Sequence, residues 1–118
     1  MTVEERIQTT LQELTNDGLF HIEKWQYDAE YFGNIYAILT SDRIGVEVRF
    51  TMDRGTKWCE LTSIANPHKT FALTELLDVF GVPYEESGDN LADMLGMMSL
   101  ASKLIRQMQH IFHQHIEP

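Results

Sequence analysis

One cysteine, Cys59, stands in a chain of 118 residues. No intrachain disulfide can staple such a fold, and a reducing compartment suits it. No stretch approaches the ~20 consecutive apolar residues of a membrane span. The opening MTVEERIQTT carries acids where a secretory leader carries bases, and no apolar run follows it. A cytoplasmic protein without membrane association is expected. Bases are also scarce: nine Lys and Arg face eighteen Asp and Glu, for a net charge of −9. Binding to nucleic acid or anionic lipid depends on Lys and Arg neutralising phosphates, so both are disfavoured. A basic protein is the partner that this balance favours. The sequence lacks a G-x-S-x-G elbow, a P-loop, an H-E-x-x-H helix and a dinucleotide fingerprint. Nothing therefore calls for an enzyme or a cofactor, although a site assembled across the fold would leave no local motif.

What is present suits one domain over residues 1–118. The hydrophobic fraction is 43%, and the chain is long enough to bury one real core. Thr2 and Glu5 have capping-box spacing, and Val3, Ile7, Leu11 and Leu14 follow at helical intervals. Asp17-Gly18 supplies the stop, so a first helix is expected over about 3–16.

The middle reads as sheet. In VEVRFTM, Val46, Val48, Phe50 and Met52 fall on one face and Glu47, Arg49 and Thr51 on the other. Pairing Met52 with Lys57 sets Phe50 opposite Cys59, Val48 opposite Leu61 and Arg49 opposite Glu60. A slip of one residue would set Val48 against Glu60, so the first register is expected. The same reasoning on NIYAILTSDRIGVEV pairs Leu39 with Ile44, Ala37 with Val46 and Ile35 with Val48. The outcome is an antiparallel meander of strands at roughly 34–40, 44–52 and 57–64. FHIEKWQYD, with poorer alternation, is a candidate fourth strand.

TFALTELLDVFGVP reads as a short helix with Thr70 as its cap, Leu73, Leu76, Leu77 and Phe80 as its stripe, and Gly81 and Pro83 as its stop. Asp89 is the expected cap of a long final helix. Its apolar stripe is Met94, Met97, Ala101, Leu104, Ile105, Met108, Ile111 and Phe112. The expected fold class is α+β: a three- to four-stranded antiparallel meander with an N-terminal helix and two C-terminal helices packed on one face.

Three histidines crowd the end, in QHIFHQHIEP. A helical step of about 100° brings His110 near His113 but carries His115 far round. The three cannot meet one ion from a regular helix, and no nearby carboxylate or cysteine completes a tetrahedral set. No metal site is expected there. Cys59, facing Phe50, is a small core residue rather than an activated nucleophile. Met94, Met97, Met98 and Met108 are expected to pack on the sheet rather than line an adaptable groove.

Two surfaces remain as candidates for binding. Glu75, Asp78, Glu85, Glu86, Asp89 and Asp93 form a run uninterrupted by Lys, Arg or His. Such a run is either a plain solvated face or an anionic surface that speeds the approach of a basic partner. The second candidate is the other side of the meander, where Tyr36, Ile38, Glu47, Arg49, Trp58 and Glu60 project together. Trp, Tyr and Arg are the types enriched at interface hot spots. Whether HIEKWQYD covers that face is open at this level.

YFGNIYAIL followed by VEVRFTMDRGTKWCEL resembles a pattern in small bacterial proteins of uncharacterised function: F-G-N, a strand, a strand ending R-F and D-R-G, then an aromatic strand. The likeness spans about residues 31–61 and carries no functional residues of its own. Asp53, Arg54 and Gly55 have a structural reason in any case, as a hairpin turn with Gly supplying positive φ. Proteins of this size and shape resemble the immunity proteins of polymorphic toxin systems, which bind and block a cognate toxin. Charge, size, the absence of catalytic motifs and this resemblance together lead us to expect a non-catalytic inhibitor of a basic toxin, and a monomer or weak dimer is expected. The alternatives are a secretion-type chaperone or adaptor, for which two further strands before the last helix would be usual, and an enzyme with a dispersed site.

Overall fold

The computed structural model describes residues 1–107. Helix α1 (Val3–Thr15) leads into strands β1 (His21–Asp28), β2 (Asn34–Ser41), β3 (Val46–Asp53), β4 (Thr56–Ser63) and β5 (Thr70–Ala72). Helices α2 (Leu73–Phe80) and α3 (Asn90–Gln107) follow. The strands form one antiparallel sheet in the order β1-β2-β3-β4-β5. The architecture is α+β, as expected, with more strands than the meander drawn from sequence. Among the described residues no helix is long and apolar enough to cross a membrane.

Helix α1 starts as its sequence dictates. Thr2 Oγ1 accepts from Glu5 N at 3.1 Å, and Glu5 Oε1 accepts from Thr2 N at 3.3 Å. This reciprocal cap satisfies two amides that the helix itself leaves unpaired. Ile7, Leu11 and Leu14 are buried from its inner face. They meet Ile35, Ala37 and Leu39 of β2, Val46, Val48, Phe50 and Met52 of β3, and Cys59 and Leu61 of β4. From α3 come Met94, Met97, Met98, Ala101, Leu104 and Ile105. The methionines Met94, Met97 and Met98 are thus core residues on the sheet. Arg106 ties the end of α3 to α1: it donates to Leu14 O at 2.7 Å and also meets the Asp17 carboxylate.

The β3–β4 register is the expected one, with Met52 opposite Lys57, Phe50 opposite Cys59, Arg49 opposite Glu60 and Val48 opposite Leu61. The β2–β3 register is not. Leu39 pairs with Val48, Ala37 with Phe50 and Ile35 with Met52, a displacement of four residues from the sequence expectation. Four is even, so each side chain keeps its face and hydrophobic patterning cannot separate the two pairings. The turn decides. Ser41 pairs with Val46, Gly45 closes the connection at φ 84°, and Ile44 is buried rather than paired. Ser41 Oγ accepts from Ile44 N at 3.2 Å, and Gly45 N donates to Ser41 O at 2.8 Å.

The candidate fourth strand is real. β1 lies at the sheet edge beside β2, with a register shift between Ile22 and Lys24. That irregularity explains its poor alternation, because a bulge moves later residues to the opposite face. It also breaks up an exposed edge that would otherwise invite pairing. Thr70 does not cap α2. It belongs to β5, opposite Thr62, where the two hydroxyls lie 3.0 Å apart. The helix begins three residues later, and Glu75 Oε1 reaches back to accept from Ala72 N at 3.3 Å. Asp89 does cap α3: its Oδ1 accepts from Ala92 N at 3.1 Å. Met108, Ile111, Phe112, His110, His113 and His115 lie outside the described residues.

Candidate protein-binding surface

Among the described residues α1, α2 and α3 pack on one side of the sheet, leaving its other side as a surface. There Tyr36, Thr51 and Trp58 are successive cross-strand partners, and Gln26 of β1 extends the row. Ile38, Arg49 and Glu60 form the next row, extended by Lys24. The HIEKWQYD segment lies beside this face as its edge strand. The centre of this face is open to solvent: Trp58 is 41% exposed, and the Arg49 side chain is exposed as well. Arg49 Nε sits 3.5 Å from Glu47 Oε2, its neighbour along the same face. At the Gly45 end the face deepens into an open depression of about 600 Å³. Glu23, Asp42 and Glu47 ring it, with Ile38 and Ile64 among its apolar lining.

The acidic run divides in two. Glu75 and Asp78 on α2, and Glu85, Glu86 and Asp89 in the following loop, are exposed. Asp93 is not among them. It is only 8% exposed, and its carboxylate accepts from Ser87 N at 2.8 Å, Ser87 Oγ at 2.7 Å and Gly88 N at 3.1 Å. These bonds, those from Ser87 foremost, hold its pKa below the usual aspartate value. Asp93 fixes the loop from within and lets the neighbouring acids point outward.

The folded pKa is depressed, so the loop contribution of Asp93 is fully present above the ordinary aspartate value of about 3.9. It is lost only as pH falls through the lower folded value. The Ser87 and Gly88 amide signals should hold their positions down to about pH 4 and move below it. A transition centred at or above that value would show that the carboxylate is not held.

Lys57 supports the same loop. Its side chain is only 4% exposed and lies 3.8 Å from Glu86 Oε2. Nζ donates to Gly55 O at 3.0 Å and to Asn90 Oδ1 at 3.1 Å. The β3–β4 turn, the acidic loop and the start of α3 are joined through this one ammonium. Tyr84, in the same loop, has its pKa raised, first by burial and then by the charges of Glu86 and Asp93.

Sequence reasoning missed a third feature, at the tips of two hairpins. The β2–β3 pairing brings Asn34 and Asp53 together. Asn34 Nδ2 donates to Asp53 Oδ1 at 3.3 Å, and Asn34 Oδ1 accepts from Arg54 N at 2.9 Å. The Arg54 guanidinium lies over the Phe32 ring, 5.0 Å from its centroid. The F-G-N and D-R-G segments are therefore in contact. The expected register would have set Asn34 opposite Arg49 and kept them apart.

Cys59 is buried, and that burial, with Glu60 beside it, pushes the thiol far above its ordinary pKa. Among the described residues no group of three or more His, Cys, Asp or Glu side chains is placed to hold a metal ion. Comparison of the chain with protein-family models, with characterised proteins and with solved structures finds no match.

Proposed function

We propose that this protein is a non-catalytic binding protein that captures a basic protein partner. The observation that carries this reading is the acidic loop. Asp93 and Lys57 anchor it from inside, while Glu85 and Asp89 stay exposed. A loop ordered before binding loses less entropy on docking, and its fixed carboxylates present a steady field to a cationic surface. The uncovered sheet face, with Tyr36, Arg49 and Trp58, supplies a second contact of hot-spot composition. The resemblance to immunity proteins suggests the specific form: inhibition of a basic toxin by occlusion.

The test is capture of partners by the tagged full chain at low salt, then association kinetics with whatever is retained. The retained partner should be basic. Its on-rate should fall by roughly tenfold or more between low and physiological ionic strength, because screening acts over ~8–10 Å. Dissociation should change less. A neutral or acidic partner, or an on-rate indifferent to salt, would remove the basis for this function.

A further inference from the structure

The geometry points to the paired hairpin tips as the hot spot of that interface, engaging a basic segment that carries apolar side chains. This inference rests on the proposed function and names a surface that would hold a basic segment alongside the sheet face. Tyr31 and Phe32 are 66% and 70% exposed. Neither burial nor backbone preference explains Phe32, which sits at φ 61°, a region that bulky residues rarely enter. Arg54 is a second non-glycine residue at positive φ, 53°. It occupies the first position of a two-residue hairpin turn that ordinarily takes Asn, Asp or Gly. Two residues poorly suited to their backbone positions thus stack on each other at one end of the molecule. Such outliers concentrate at binding sites, where the surrounding structure holds them in place.

The same end carries the charge that selects the occupant. Lys57 links Gly55 of the turn to Asn90 and Glu86, so the acidic loop reaches the Arg54–Gly55 turn, and Asn90 shares a groove with Phe32. Glu30 and Asp53 lie within the tips themselves. The two cations nearby are already engaged: Lys57 is buried, and Arg54 lies over Phe32 and 3.9 Å from Asp53. Beside them opens a groove of about 190 Å³ whose lining includes Phe32, Tyr27, Met52, Val3 and Leu91. It offers room for one apolar side chain. An occupant that matches both features pairs Lys or Arg with the carboxylates and sets an aliphatic or aromatic group against Tyr31 and Phe32.

The experiment uses the isotope-labelled full chain and two short probe peptides, one alternating lysine with leucine and one alternating lysine with serine. The lysine–leucine peptide should shift the amides of residues 31–34, 53–56 and 86–91, and should bind about tenfold more tightly than the lysine–serine peptide. The double variant Tyr31→Ser, Phe32→Ser should fold normally, since both side chains are exposed, and should erase that difference. If the double variant keeps the tenfold preference, or if the shifts fall on Tyr36 and Trp58 and not on residues 31–34, the tips are not the hot spot. Shifts confined to 85–89 with both peptides and no effect of the double variant would overturn this inference while sparing the acidic-surface reading. Failure of both peptides to bind would overturn the two together.

Discussion

Val48→Asp should abolish the folded state. Val48 is fully buried in the central strand, between Leu39 on one side and Leu61 on the other. Helices cover this side of the sheet, so a carboxylate there has no route to water and no cation to meet. A carboxyl there is an unpaired charge or, once protonated, an unsatisfied polar group in place of a packed side chain, and costs on the order of 5 kcal/mol. The whole stability of a domain of this size is about 5–15 kcal/mol. The far-ultraviolet circular dichroism should lose its native form, and no cooperative melt should remain. Arg49→Asp, one residue along the same strand, is the control. It points to the open face, where like-charge contacts with Glu47 and Glu60 should cost no more than ~1 kcal/mol. A Val48→Asp protein that melts cooperatively within a few degrees of the parent would mean that the two faces have been assigned wrongly.

The contrast between neighbouring residues shows what the sequence made legible. Alternation in a strand reports the face a residue takes, and every face assigned to β2, β3 and β4 agrees with the structure. Register is harder. Between β3 and β4 it was readable because only one alignment matched Arg49 with Glu60 while keeping Val48 away from an acid. Between β2 and β3 the apolar residues alternate so regularly that shifts of two or four residues look alike. There the choice lay in the turn, in the burial of Ile44 and the positive φ of Gly45. That ambiguity hid the tip surface, because contact between Asn34 and Asp53 follows only from the observed pairing. Thr70 is ambiguous for a related reason: a hydroxyl suits a helix cap or a cross-strand pair, and Thr62 opposite it settles the matter. Asp93 reads as one more acid of a run, since only tertiary structure reveals which carboxylate turns inward.

This distinction among the acids governs the kinetic prediction. Reversing Asp93 would unfasten the loop, and reversing Asp89 would remove the cap of α3, worth about 1 kcal/mol. Reversing Glu86 would set a second ammonium against the buried Lys57, and Glu75 accepts from the Ala72 amide ahead of α2. Asp78 and Glu85 are exposed and lack side-chain tasks of this kind, so Asp78→Lys with Glu85→Lys is the clean variant. The two reversals, each worth two charges, take the net charge from −9 to −5. Association with a basic partner should slow about tenfold at low salt, and the difference should shrink as salt screens the field. The melting temperature should change little, because no buried group is disturbed. Trp58→Ala acts at the other stage. Its ring contributes only after docking excludes water from the sheet face, so dissociation should quicken by about tenfold or more while the on-rate stays near the parent value. If the charge reversals instead left association unchanged and Trp58→Ala slowed it, the division into electrostatic steering and aromatic holding would be wrong. The open sheet face would then be the first point of encounter.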